Sequence, residues 1–161
     1  MAGNIFLKLP ALEGASEVFP GQLEITSFNW GLCNEKNVHS GSTSSTSTAH
    51  LYNITCTKPV DTASPTLMQA CADGMEIATG TLTVAAAAGD GSQPKEAMTF
   101  DLTKVFIHSY NTKATGTATD LAETFTVHFG QIKLTYQKVE GGKVSGPPAT
   151  FQWNAAKNQK S

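Results

Sequence analysis

Residues 123–136 read ETFTVHFGQIKLTY. Phe125, Val127 and Phe129 stand at odd positions, Ile132, Leu134 and Tyr136 at even ones, and Gly130 marks the change of phase. Alternating apolar and polar residues are the signature of a strand with one buried face, and the change of phase predicts a β-bulge that returns the second half to that face. Residues 22–30, QLEITSFNW, behave alike: Leu23 and Ile25 are odd, Phe28 and Trp30 even. Two long strands bent in this way favour a barrel or a curled sandwich, so the expected fold class is mostly β.

Working outward, Ile5, Leu7 and Leu9 alternate as a first strand. Residues 98–110 form a long strand on which Met98, Phe100, Leu102, Phe106, His108 and Tyr110 share one parity, while Val105 and Ile107 make the other face apolar too. A strand apolar on both sides is covered on both sides. Val105, Ile107 and Tyr110 are therefore expected at a contact with a neighbouring subunit. Serine and threonine make up 33 of the 161 residues, which suits half-buried strands. One short α-helix is predicted over about 64–73: Ser64 can cap it, Pro65 suits its first turn, Leu67, Met68, Cys71 and Ala72 form the apolar stripe, and Gly74 ends it. Gly89 to Ser92 reads as a hairpin turn. Residues 34–49, NEKNVHSGSTSSTSTA, are too hydrophilic to pack unaided and are expected to be a mobile polar loop. Nothing divides the chain, so residues 1–161 are read as one domain.

Composition narrows the function. Charged residues are 15% of the chain, the formal net charge is -2, and all 11 basic residues are lysine. That disfavours nucleic acid as a partner and excludes arginine-based phosphate clamps. Apolar residues never run long enough to span a bilayer, and the first residues, MAGNIFLKLP, lack a signal peptide's apolar core, so membrane insertion and a cleaved leader are not expected. Cys33, Cys56 and Cys71 have neither paired nor CxxC spacing, so no disulfide framework, metal site or other cofactor is expected. Cys56 and Cys71 are expected to be buried, Cys33 accessible. His39 and His50 flank the polar loop, and His108 and His128 lie on strands as structural or interface residues. No GxSxG, HExxH or HxH pattern is present, and Ser109 adjoins His108 on a strand, which points the two apart. The chain is read as a non-enzyme with no catalytic residue.

Several segments resemble the haemolysin-coregulated protein (Hcp) family of type VI secretion systems. They are Glu13-Gly14-Ala15-Ser16, residues 23–31 (LEITSFNWG), residues 64–74 (SPTLMQACADG), Ile107-His108-Ser109-Tyr110, residues 123–136 and Phe151-Gln152-Trp153, in the family's order and over nearly the whole chain. The resemblance implies a small β-barrel of antiparallel strands with one short helix, assembling head to tail into a six-membered homohexameric ring. Stacked rings would form the inner tube of a contractile machine, with spike, sheath and effector proteins as partners. The protein would wait in the bacterial cytoplasm and be secreted with the tube without a cleaved signal peptide, carrying effectors in the ring lumen. Asn29, between Phe28 and Trp30, matches the family's lumen position, and Ser27 shares its face. Ser42, Thr43, Ser44 and Ser45 are expected at the ring-stacking loop. The competing reading is a monomeric β-sandwich binding module, lectin or adhesin-like, using Trp30, Trp153 and Tyr110 to stack on ligand. A β-barrel hydrolase built on Ser109 or Ser64 is the weaker rival.

Overall fold

The computed structural model describes residues 4–36, 47–89 and 91–161. In chain order the elements are β1 (Ile5–Lys8), β2 (Leu23–Ile25), β3 (Ser27–Asn29), β4 (Leu32–Asn34), β5 (Ala49–Leu51), β6 (Ile54–Pro59), α1 (Ser64–Asp73), β7 (Ile77–Ala86) and β8 (Lys95–Ala114). There follow β9 (Leu121–Tyr136), β10 (Val139–Glu140), β11 (Lys143–Val144) and β12 (Ala149–Asn154). The main sheet is antiparallel and runs β2-β1-β7-β8-β9-β6-β3, with β12 added beside the second half of β9. Its first and last strands are separated in sequence by Thr26 alone, whose N–H donates to Thr57 O at 2.8 Å. One segment of chain therefore pairs with β1 through its first half and with β6 through its second, which bends the sheet into a nearly closed barrel. Among the described residues the expected mostly β class, antiparallel barrel and single helix are what the chain forms.

The change of phase in residues 22–30 is thus a corner where a strand changes partner, and the expected bulge is absent there. In β9 the phase does change at Gly130: Phe125, Val127 and Phe129 are buried before it and Ile132 after it. Again no residue is inserted, because the pairing with β8 keeps step from Thr103↔Gln131 to Val105↔Phe129. Instead β8 turns over at the facing residue, Lys104, whose φ is +52°. A Cβ on Gly130 would lie 3.3 Å from that of Lys104, so glycine leaves the room in which the lysine backbone bends. The true bulge lies four residues further on, where the register slips between Ile107 and Ser109.

These two irregularities overturn the reading of residues 98–110 as a strand covered on both sides. Phe100 and Leu102, then Val105 and Ile107, all face the same core, because β8 inverts between the pairs. Val105 is 0% and Ile107 3% exposed within the single subunit, leaving neither side chain any surface to offer a neighbour. Tyr110, brought back inward by the bulge, is half-buried against the same core.

The helix has the expected bounds and ends at Gly74 in the left-handed conformation, with φ +61°. Its cap differs: Ser64 Oγ accepts from Asp61 N–H at 2.9 Å, and Ala63 holds the N-cap position with no side-chain bond. Leu67 and Ala70 are its buried apolar residues, whereas Met68 is 41% exposed and Cys71 half-buried. The expected stripe was set slightly too far round the helix. The polar loop is narrower than expected, since Asn34 and Ala49 at its ends belong to the β4–β5 ribbon. Ser42, Thr43, Ser44 and Ser45 lie outside the described residues.

Candidate functional site: the outer wall around Asn29

Strands β3, β6, β9 and β8 lie side by side, and their register sets the outward side chains in rows. Ser27, Thr57, Thr124 and Asn111 make one row; Asn29, Thr55, Thr126 and Ser109 make the next. Ser27 and Asn29 are both exposed, while Phe28 and Trp30 turn inward and meet Phe100 edge to face at 5.5 and 5.7 Å between ring centres. The alternation of residues 27–30 therefore has the polarity read from the sequence. Neighbouring hydroxyls satisfy one another across the strands, Thr57 with Thr124 at 3.2 Å and Ser109 with Thr126 at 2.6 Å. Beyond them Asn53 Oδ1 accepts from His128 Nδ1 at 2.8 Å. No carboxylate or ammonium stands in these rows.

The inward side chains of the same two central strands are the opposite. Lys58 is 1% and Glu123 1% exposed, and they pair at 2.7 Å. Lys58 Nζ also donates to Pro59 O at 2.8 Å and lies 3.0 Å from Asp61 Oδ1. The other Glu123 oxygen takes a short hydrogen bond from the Tyr110 hydroxyl. Burial, then that bond to Glu123, pushes the Tyr110 hydroxyl above its ordinary range. Tyr110 thus anchors an internal ion cluster, a role that sequence reasoning missed because charged residues are assigned to the surface by default.

Three further expectations can be placed. Trp30 and Trp153 flank Phe151, with Trp153 stacked on it at 6.5 Å, so the aromatics proposed as a ligand platform pack on one another and on the core. Cys56 is buried, and burial raises its thiol to about 12. Cys33 is half-buried and accepts from the Tyr52 hydroxyl at 3.3 Å. Among the described residues no group of three or more His, Cys, Asp or Glu is assembled around a common point, and no helix is long and apolar enough to cross a membrane.

A family model described as "Type VI secretion system effector, Hcp" matches residues 6–136. The chain belongs to the Hcp family. The "Protein hcp1" of Pseudomonas aeruginosa is 31% identical to it over 111 residues, covering 68% of this chain and 67% of that one. A solved structure titled "Structure of a type six secretion system protein" superposes with a TM-score of 0.85 at 26% identity, over 99% of this chain and all of the other. The crystal structure of Hcp1 from Salmonella typhimurium shares the fold at a TM-score of 0.79 and 24% identity, over the whole of both chains. The expected family is therefore the right one, and it gives the chain a structural or effector role in type VI secretion.

Proposed function

We propose that this Hcp chain closes head to tail into a six-membered ring, that rings stack into the inner tube of the secretion machine, and that the outer wall around Asn29 faces the lumen and holds effectors. The observation that carries this reading is the wall itself. An exposed surface of hydroxyls and amides with no fixed charge wets readily, offers donors and acceptors to many partners, and binds none so firmly as to prevent release. Self-assembly draws support from large apolar side chains left exposed on the single chain: Leu32 (47%) and Tyr52 (55%) at the β4–β5 ribbon, Tyr136 (47%) and Val144 (56%) elsewhere. These replace Val105 and Ile107 as the candidate subunit contacts. The loop bearing Ser42, Thr43, Ser44 and Ser45 is assigned to the stacking face, where the -2 charge of each chain opposes approach. The protein is made in the cytoplasm and leaves with the tube, its partners being further copies of itself, effectors, the spike and the sheath.

Light scattering tests the ring: six chains of 17.0 kDa give about 102 kDa, and a stable mass of one chain at micromolar concentration would refute it. Asn29→Gln tests the wall. The ring mass should persist while the cellular level of lumen-dependent effectors falls; monomers would make Asn29 an interface residue, and unaltered effector levels would remove it from cargo binding.

A further inference from the structure

At the edge of the uncharged wall the fold brings together two histidines 20 residues apart in sequence. His128 leaves β9 opposite Phe106, and His108 is the extra residue at the β8 bulge. Both are exposed, and their ring centres lie 6.2 Å apart with the planes inclined at 44°. Bulges re-aim single side chains, and this one sets His108 toward His128.

The partner of His128 decides which ring nitrogen is engaged. Asn53 Oδ1 can only accept, so Nδ1 of His128 donates to it, and Nε2 is the nitrogen left for a ligand. An imidazole whose other nitrogen donates to a fixed carbonyl oxygen has the arrangement that orients and strengthens histidine ligands in metal sites. A cation about 2.1 Å from each Nε2 stands about 3.2 Å from each ring centre, so two rings can share it only when their centres are within about 6.4 Å. The observed 6.2 Å lies inside that limit, and rotation of the exposed His108 side chain, with His128 held by Asn53, brings the two nitrogens closer at little cost.

We propose that His108 and His128 form a two-imidazole site for a borderline divalent cation of the nickel, copper and zinc class, with Asn53 as the positioning residue and water in the remaining positions. Imidazole pairs favour these ions over magnesium and calcium, which demand oxygen donors. The site is complete within one chain and does not depend on the lumen assignment or on ring formation. In an assembled ring it would recur once per subunit along the rim of the wall.

The test uses the full chain without a polyhistidine tag and nickel chloride as probe. Calorimetry should show one equivalent bound per chain in the micromolar range. His108→Gln and His128→Gln should each weaken it at least tenfold, and Asn53→Ala, which keeps both rings, by about tenfold. His50→Gln and Cys33→Ser, which face each other on the β4–β5 ribbon, should leave it unchanged. Because every substituted side chain is exposed or on the surface of the barrel, circular dichroism should be unaltered. In the unsubstituted chain, paramagnetic broadening by nickel should strike the ring protons of His108 and His128 first. Broadening centred on His50, or affinity unchanged in His108→Gln, would overturn the site.

Discussion

Strands β6 and β9 present two faces that invert the usual distribution of charge. Inside, Lys58 and Glu123 pair under full burial, with Asp61 and Tyr110 completing their shell. Outside, the half-buried Thr55, Thr57 and Thr126 and the exposed Thr124 form, with Asn29 of the neighbouring β3, a solvent-facing wall without a fixed charge. The contrast teaches that the two faces are specified by different physics. A buried ion pair gains little stability over an apolar pair, yet it tolerates no missing partner, so it constrains the sequence strongly. Hydroxyls in water gain almost nothing from one another, so the outer wall is free to be chosen by what it touches.

The most severe way to break the inner face is Lys58→Met. It strands Glu123 in the core and should destabilise the fold by about 3–5 kcal/mol in urea unfolding. Adding Glu123→Gln should recover part of the loss, and a single substitution costing under about 1 kcal/mol would show that water reaches the pair. Alkaline pH attacks the same face more gradually. Burial raises the Cys56 thiol from 9.0 to about 12, so the folded chain keeps a proton that the unfolded chain releases. The stability this represents is whole below pH 9 and is lost as the pH climbs toward 12. Tyr110, also raised, acts in the same direction above 10.0. Thermal midpoints recorded across that range should fall steeply, and Cys56→Ala should flatten the slope.

Cys56→Ser is milder: a hydroxyl without a partner in the core should cost about 1–3 kcal/mol. Thr57→Val and Thr124→Ala, on the outer face one residue away from these sites, should change stability by no more than about 0.5 kcal/mol. A loss above about 1 kcal/mol there would mean that the wall is structural and not free for function.

What could be read from the sequence was whatever a single strand announces by itself. Gly130 betrays its change of phase because the apolar parity switches across it. Lys104 gives no such sign, since a lysine is bent into positive φ only by the glycine that faces it 26 residues later. For the same reason Val105 and Ile107 looked like a second apolar face: the inversion that buries them is imposed across the ladder. The threonine wall was legible as alternation, and Asn29 and Ser27 as its members, because Phe28 and Trp30 define the inward side. The Lys58–Glu123 cluster and the approach of His108 to His128 depend on register between strands more than 15 residues apart, which composition and periodicity do not encode.

The corner at Thr26 also fixes when this protein can fold. The segment that seals the barrel needs β1 on one side and β6 on the other, while β1 is held by β7, with Ile5 opposite Val84, and β6 by β9, with Ile54 opposite Val127. β1 has both its strand partners once Ala86 has been made, but β6, to which the second half of the corner is bound, lacks β9 until the ribosome has passed Val127. Such distant pairings close slowly, on the order of milliseconds to seconds. During synthesis the apolar sides of β1, β2 and β6 are exposed together, and the nascent chain depends on its many serines and threonines, and on having few neighbours of its own kind nearby, to remain single until the last long strand arrives.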